Sequence, residues 1–339
     1  MSVAIFDADS LTDEEPPPVP RSRKHPVIAR IWRFVQPLVQ AAIVSFFVVV
    51  ITFFLSRLFL GDPARRMLGI NASQAEVDAL RAEWGLDRPL VVQFGDYMLG
   101  LLQGDMGMSI MGSGVSVSTL IFGTLGNTVA LALLSLTFAV ILGIITGLWA
   151  AVTRVRAVDV SLRFLAMLGL AAPPALVGLL LIFGLAVQAR LAPVGGWGSG
   201  YPENFRYLLL PVLTVTILAT PLFLRVVRER AVTVLSEPHI EASRARGIPP
   251  VRLLIRHVLP NCAVPVVTVA GLSAGSLLSG AVIAEAVFGM PGLGLVLLNA
   301  MKSSDFPVIQ GAAIISGAAV ALCNALAEIA QRAIDPRTR

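Results

Sequence analysis

The sequence predicts an all-α polytopic membrane protein with six transmembrane helices. Hydrophobic residues make up 56% of the 339 residues and charged residues only 14%, whereas a soluble domain carries about 25% charged residues. A membrane span needs about 20 mostly apolar residues. Six runs meet that length: 36–59, 126–152, 162–188, 207–227, 262–285 and 308–331. Arginines flank these runs on alternate sides, so the net charge of +5 reflects membrane orientation and not nucleic-acid binding.

The chain begins with a segment predicted to be a disordered cytoplasmic tail, residues 1–28. Its first 20 residues are acidic and rich in proline, a composition that does not form a packed core. Basic residues then precede the first apolar run. That run is longer than the apolar part of a signal peptide, so residues 29–59 are predicted to be a first transmembrane helix that also acts as a signal anchor.

Residues 60–125 are predicted to be an extracytoplasmic and partly helical segment. Ser73 and Glu76 have the spacing of a capping box, and Gly85 ends the helix that they begin. A second helix is predicted from residue 90 to residue 103, before Gly104. The segment forms either a small cap over a pore or a structured connector.

The remaining five spans form a predicted helical core over residues 126–331, with a cytoplasmic loop at 228–260. Gly143 with Gly147, and Gly271 with Gly275, have the small-xxx-small spacing that lets helices approach closely. Pro173 and Pro174 are expected to kink or break the third span, and Pro211 and Pro221 the fourth. Both features fit bundle packing and also fit a permeation path.

Ionisable and metal-binding residues are scarce in these spans. Glu285 and Glu328 lie near span ends, and no chain of Asp, Glu or His crosses the middle, which argues against a proton-driven carrier. Cys262 and Cys323 have no Cys or His neighbours at metal-ligand spacing. We therefore predict no catalytic residues and no metal site.

The basic residues also predict the orientation of the chain. If the N-terminus is cytoplasmic, the cytoplasmic segments hold eighteen of the 26 Lys and Arg residues, as short cytoplasmic loops generally do. Both termini, including a short tail at 332–339, are then cytoplasmic. The predicted location is a bacterial inner membrane.

One short polar helix stands out in the cytoplasmic loop. Ser236 is its predicted N-cap, Pro238 lies in its first turn, and Gly247 ends it. Two to three turns are too few for a helix that is stable by itself in water. Ala242 and Ala245 give a surface for close approach, with a polar rim from Glu241, Arg244 and Arg246. The helix is therefore predicted to pack on a partner.

This loop resembles the EAA loop of permeases of ATP-binding-cassette (ABC) importers. Glu241-Ala242-Ser243, three residues, Gly247, nine residues and then His257-Val258-Leu259-Pro260 are similar to the pattern E-A-A, three residues, G, nine residues, I-x-L-P. Ser243 replaces the second alanine, and His257 replaces the isoleucine.

Other motifs extend the resemblance to residues 30–339 and to the B-type permease of dipeptide and oligopeptide importers. In chain order they are Gly61-Asp62-Pro63-Ala64, residues 85–90, residues 104–109, Gly126-Asn127-Thr128, Glu285-Ala286-Val287-Phe288, Pro291-Gly292-Leu293-Gly294, residues 305–311 and Asp335-Pro336-Arg337.

The resemblance implies the type I ABC importer permease fold, in which the short helix is a coupling helix held by a nucleotide-binding subunit. The residues implied in this coupling are Glu241, Ala242, Ser243, Arg244, Gly247, Leu259 and Pro260. No Walker A motif is present, so ATP and Mg²⁺ are expected on partners. The implied partners are a second permease, two ATPase subunits and an extracytoplasmic substrate-binding protein.

The substrate path is predicted less directly. Candidate residues are Asn127, Ser273, Ser276, Gly280 and Glu285. Serines in spans commonly bond to helix backbone instead, and Glu285 fits anchoring of the loop from Phe288 to Gly294 equally well. The expected cargo is a short peptide. Alternatives are a nickel chelate, glutathione or an opine, a stand-alone secondary transporter, and a membrane-embedded enzyme.

Overall fold

A computed structural model describes residues 26–59, 63–69, 72–110, 114–153, 155–200 and 202–334. Apart from one isolated bridge between Met108 and Ser116, all regular structure in these ranges is helical. The helices are α1 (Pro26–Phe59), α2 (Pro63–Leu68), α3 (Gln74–Glu83), α4 (Leu90–Leu102), α5 (Val117–Val152), α6 (Arg156–Ala171), α7 (Pro174–Leu181), α8 (Asn204–Leu235), α9 (Pro238–Ala245), α10 (Pro250–Leu253), α11 (Leu259–Phe288), α12 (Leu293–Ser303) and α13 (Phe306–Ile334). Two π-helical segments, Ile182–Gln188 and Leu254–Val258, follow α7 and α10. Residues 1–25 of the predicted tail and the motif at 335–337 lie outside the described residues.

Five helical segments in the described ranges are long and apolar enough to span a membrane: Phe34–Leu58, Val117–Val152, Asn204–Leu235, Pro250–Leu278 and Phe306–Ala333. Two bent pairs also qualify, α6 with α7 at 109° and the end of α11 with α12 at 78°. Helix directions decide which pair crosses the bundle.

The α6–α7 pair crosses and α12 does not. Gly143 and Gly147 of α5 lie against Phe223 and Val227 of α8, so these two helices run in parallel and the chain must return once between them. Contacts of α11 with α13 follow the opposite order, because Gly271 meets Ala327 and Gly275 meets Val320. These two helices are antiparallel, so α12, which lies between them in the chain, does not cross the bundle.

The first helix completes six crossings. Val48 of α1 packs on Gly317 of α13, and Ser56 lies near Gln310, so α1 and α13 are antiparallel. The start of α1 and the end of α13 therefore lie at the same end of the bundle as α9. We call this the α9 end, and the other the opposite end.

Small residues allow the close packing that their spacing predicts. A Cβ added at Gly143 would lie 2.3 Å from the Cβ of Phe223, and one at Gly271 only 1.9 Å from the Cβ of Ala327. Both glycines are therefore required by backbone approach between helices.

Prolines act differently in the third and fourth spans. The third breaks between Ala171 and Pro174, as predicted. The fourth does not break, because α8 continues through Pro211 and Pro221. Gly169 of α6 packs against Pro221 and near the carbonyl of Ile217, which the proline leaves without its helical donor. Packing from a neighbouring helix thus accommodates the proline inside α8.

The segment between α1 and α5 is helical and lies against α1. Its predicted capping box is present: the Ser73 hydroxyl accepts from the Glu76 N–H, and the Glu76 carboxylate accepts from the Ser73 N–H. The Ser73 hydroxyl also donates to the Glu76 carboxylate, and this bond together with that from the Ser73 N–H lowers the pKa of Glu76. Phe94 and Tyr97 of α4 pack against the ring of Phe53 of α1, the first edge-on and the second tilted, with centroids 5.3 and 5.6 Å away.

Candidate functional site

The short polar helix exists as α9, but its N-terminus differs from the prediction. Glu237 is the N-cap, without a side-chain capping bond, and Pro238 occupies the first position. Ser236 was the wrong choice of cap, because it ends α8 and its hydroxyl donates to the Val232 carbonyl. The α8 helix extends further than predicted and takes up this serine.

The inner face of α9 is buried in the bundle. Ile240 is fully buried in a cluster with Val234 of α8, Leu253 of α10 and Cys262 of α11. Ser243 lies on the same face at 8% exposure, and its hydroxyl donates to the His239 carbonyl at 2.8 Å. A small residue at position 243 therefore lets α9 sit close to the bundle.

The outer face of α9 is exposed and polar. Glu241, Ala242 and Arg244 are all exposed, and the two charged residues form no ion pair within the described part of the chain. Gly247 ends the helix with φ +75°, and a Cβ there would meet no atom within 4 Å. Glycine is needed at this position for its left-handed backbone and not for space. Of the residues predicted to couple, these four form the exposed surface of α9 and of its C-terminal end.

The return from α9 to the membrane passes through the π-helical segment Leu254–Val258. The Leu259 N–H donates to the Leu254 carbonyl, one residue further back than in an α-helix. Pro260, which has no N–H, follows at once. Leu259 is half-buried and Pro260 exposed, so the bundle side of this turn is provided by Leu259.

An ion pair that sequence reasoning missed ties α6 to α8 near α9. Arg228 donates to both oxygens of Asp159, at 2.8 and 3.0 Å, and Arg163 contacts the same carboxylate at 2.9 Å. Asp159 is 17% and Arg228 26% exposed, so the pair is partly desolvated. The partners are 69 residues apart, and only the antiparallel packing of α6 on α8 brings them together.

The candidate path residues on α11 divide between two environments. Ser273 is buried, whereas Ser276 is exposed and donates to the Ser273 carbonyl at 2.9 Å. Gly280 borders open space. Together with Leu272 and Ile283, which are 66% and 41% exposed, Ser276 and Gly280 form one uncovered face of α11.

Glu285 and Asn127 lie instead in a closed junction of α5, α11 and α12. The Glu285 carboxyl is fully buried and accepts from the Thr128 hydroxyl at 2.6 Å and from the Gly294 N–H at 2.7 Å. The Thr128 oxygen in turn accepts from the Leu293 N–H at 2.8 Å. Asn127 donates to the Pro291 carbonyl at 2.7 Å.

This junction holds the N-terminus of α12. Unpaired N–H groups at a helix start favour a carboxyl group, and Glu285 occupies that place. A Cβ at Gly292 would lie 2.1 Å from the Glu285 carboxyl carbon, so only glycine fits there. The bonds engage the polar atoms of Glu285 within the protein, which agrees with the anchoring role considered for it.

Comparison with known proteins assigns the chain to a family. Residues 139–339 match the binding-protein-dependent transport system inner membrane component, and residues 31–114 match the N-terminal part of such membrane components. The chain belongs to this family. Among its relatives, a protein of Brucella suis biovar 1 (strain 1330) named as a peptide permease is 36% identical to this permease over 297 residues, covering 86% of this chain and 93% of the relative.

Two further proteins extend the comparison. The glutathione transport system permease protein GsiC of Escherichia coli (strain K12) is 33% identical over 294 residues, which cover 87% of the permease and 94% of GsiC. A chain from the inward-facing MetNI methionine ABC transporter superposes with a TM-score of 0.50 and 19% identity, covering 64% of the permease and 96% of that chain. This last likeness concerns the fold alone.

Membership settles the general role. The protein is a multi-pass membrane permease subunit of an ABC importer of the peptide-transport family, and it is not an enzyme. Such permeases work together with ATPase and substrate-binding-protein components.

Proposed function

We propose that this permease translocates short peptides that an extracytoplasmic binding protein delivers, driven by ATP and Mg²⁺ bound to two ATPase subunits. A second, homologous permease completes the path. The α9 end is cytoplasmic in this proposal, so both termini are cytoplasmic. The excess of arginine in the segments at that end supports this orientation.

The two-sided character of α9 carries the proposal. Its outer face offers Glu241, Ala242, Arg244 and Gly247 to an ATPase, while Ile240 on its inner face is embedded among α8, α10 and α11. Because packed side chains move together and do not deform continuously, a displacement of α9 is passed to the spans. Ser243 and Leu259 contribute by holding α9 and its return segment to the bundle, and Pro260 lies in the first turn of α11.

The ion pair of Asp159 with Arg228 extends this transmission to the third span. Since α8 runs directly into α9, a shift of the last turns of α8 pulls on α6 through two hydrogen bonds. Charge-assisted bidentate pairs are the stronger and more directional kind. The broken third span then moves with α8.

The uncovered face of α11 is the proposed lining of the path and of the contact with the second permease. Ser276 and Gly280 supply a polar group and open space there. Ser273, buried behind this face, supports it. Asn127 and Glu285 fix the loop and α12 at the opposite end, and they shape the entrance without contacting cargo.

The coupling surface is tested by Ala242→Trp in a complex of the permease with its ATPase subunits in proteoliposomes. A bulky side chain on the outer face is expected to abolish co-purification of the ATPase and peptide uptake. Ala157→Trp, exposed at the same end on α6, is the matched control. Wild-type ATPase binding and uptake in Ala242→Trp, or transport by the permease without an ATPase, would refute the proposal.

Cargo is tested by uptake of labelled dipeptides and tripeptides in competition with glutathione. Short peptides are expected to compete with each other through the binding protein. The likeness to GsiC makes glutathione the second candidate. Saturable uptake of glutathione that dipeptides do not inhibit would replace the peptide assignment and leave the coupling mechanism intact.

A further inference from the structure

A cavity of about 540 Å³ lies at the opposite end of the bundle, outside the proposed path. The end of α1, the loop after α3 and the start of α13 form its walls. Arg57, Trp84, Leu86, Ile110, Phe306 and Gln310 line it. Most of this lining is apolar, and one cationic side chain stands among it.

Arg57 is placed at the last turn of the first span and is half-buried. Its guanidinium lies 5.5 Å from the ring centroid of Phe53, and it forms no ion pair with any of the described residues. A partly desolvated charge without a counter-ion is costly. An anion bound in the cavity removes that cost.

Gln310 supplies a second donor without a partner. Its side-chain Nε2 is buried and has no hydrogen-bond partner in the described structure, while its Oε1 lies 3.5 Å from the Ser56 hydroxyl. Buried amide N–H groups nearly always have an acceptor. Gln310 lines the cavity beside Arg57, so a turn of its side chain brings this N–H group to an oxyanion, such as a phosphate, that the Arg57 guanidinium binds.

An adjoining cavity of about 400 Å³ has the opposite charge. It shares Arg57 and Trp84 with the first, and its lining adds the carboxylates of Glu83, Asp96 and Asp105 and one arginine, Arg88. Arg88 pairs with Asp96 at 3.3 Å. The remaining negative charge suits an ammonium group a short distance from the anion site.

The surroundings favour a lipid over a peptide. Only 11% of the residues in the most apolar stretch of the first span are buried, and Leu55 and Leu58 beside Arg57 are 53% and 77% exposed. Trp84 and Tyr97 are the residue types that gather at a membrane interface. Because α13 packs between α1 and α11, the cavity is also separated from the uncovered face of α11.

We propose that this pair of cavities binds an aminophospholipid. The phosphate lies at Arg57 and Gln310, the ammonium faces Glu83 and Asp105, and an acyl chain follows the apolar wall of the first cavity and the exposed side of α1. The site serves to fix α1 and α3–α4 against α13, and it does not depend on the cargo of the transporter.

The test is native mass spectrometry of the full-length permease in detergent, titrated with phosphatidylethanolamine, phosphatidylglycerol, inorganic phosphate or dialanine. One phosphatidylethanolamine is expected to stay bound, and Arg57→Gln is expected to weaken its binding at least tenfold. Arg206→Gln removes an exposed arginine at the same end of the bundle and serves as the matched control, with unchanged binding. Gln310→Leu keeps the charge and is expected to weaken binding several-fold.

Each other outcome overturns the proposal. Equal binding by Arg57→Gln and wild type, in folded protein, refutes the phosphate site. Equal affinity for phosphatidylglycerol refutes the ammonium site. Displacement of the lipid by inorganic phosphate or by dialanine assigns the cavity to a free anion or to a peptide. If Arg57→Gln does not fold, unchanged binding in Gln310→Leu decides against the site.

Discussion

The short helix α9 and the Glu285 junction lie at opposite ends of the bundle and use polar groups in opposite ways. In α9 the buried anchor is apolar, Ile240, and the charged Glu241 and Arg244 are exposed. In the junction the buried group is a carboxyl, and its oxygens accept from Thr128 and Gly294. The charged groups of α9 thus remain free to bind a partner, whereas the carboxyl group of the junction is hydrogen-bonded within the protein.

This difference separates binding from anchoring in a membrane protein. A polar group inside a bundle surrounded by lipid cannot fall back on water, so it must be satisfied within the protein. A group outside the lipid is solvated until a partner replaces the water. The exposed charges of α9 are therefore free to take part in the proposed interface, whereas the hydrogen-bonded carboxyl of Glu285 fits a structural joint. Substitutions that remove a side-chain group from the junction and from α9 test this difference.

The largest effect is expected for Glu285→Ala. This change leaves the Thr128 hydroxyl and the Gly294 N–H buried without an acceptor, at roughly 1–3 kcal/mol for each group. It also frees the start of α12. We expect a loss of about 3 kcal/mol or more in stability, seen as a large fall in the melting temperature of the purified permease in detergent.

Two milder variants calibrate that result. Glu285→Gln keeps one acceptor oxygen but turns an NH₂ group toward a donor, so its loss should be intermediate. Thr128→Val removes the hydroxyl group and keeps the shape of the side chain, and it is expected to cost about 1–2 kcal/mol of stability. A fully stable Glu285→Ala permease with impaired uptake would reverse the assignment and return Glu285 to the substrate path.

Features set by neighbouring residues were predictable from the sequence. The capping box at Ser73 and Glu76 and the break at Pro173–Pro174 depend on a few consecutive residues, and both are confirmed. The course of α8 through Pro221 was not predictable, because a glycine on α6, 52 positions earlier, provides the packing that accommodates it. In addition, α8 extends up to Ser236, its C-cap, so this serine is not the N-cap of α9.

The candidate site shows the same division. The exposed residues of α9 belong to one short local motif that the sequence contains, and their role in coupling stays a prediction. The roles of Glu285 and Asp159 depend on partners 157 and 69 residues away, and no local spacing indicates them. A lone carboxylate near a span end signals only that some partner exists.

The second effect in size concerns the apolar anchor of α9. Ile240→Ala is expected to leave a cavity among α8, α10 and α11, at a cost of about 2 kcal/mol or more. The ATPase should still bind, because the outer face is unchanged, but ATP hydrolysis should proceed with reduced peptide uptake. Uptake per ATP in proteoliposomes measures this uncoupling. Tight coupling in Ile240→Ala would show that the inner face does not transmit movement.

Gly247→Val is expected to have a smaller effect on stability. The left-handed backbone at this position costs about 1–2 kcal/mol for a residue with a Cβ, although no neighbouring atom obstructs the side chain. The end of α9 should shift, lowering uptake while membrane insertion remains normal. Gly247→Asn is the control, because asparagine tolerates this conformation. Equal uptake by both variants would show that the left-handed backbone at position 247 does not determine uptake.

The smallest effect on stability, and the sharpest contrast with Glu285, is expected for Glu241→Gln. The side chain is exposed and forms no ion pair within the described residues, so the melting temperature of the permease should not change measurably. If Glu241 contacts an ATPase subunit, the same substitution should weaken that association, and more strongly at low salt, where charge interactions are less screened. Glu229→Gln removes another exposed carboxylate near the α9 end, one that pairs with Arg225 at 2.9 Å on α8 itself, and should leave ATPase binding unchanged. Equal binding by both variants at all salt concentrations would show that the charge of Glu241 is merely solvated, and the interface would then rest on Ala242 and the backbone around Gly247.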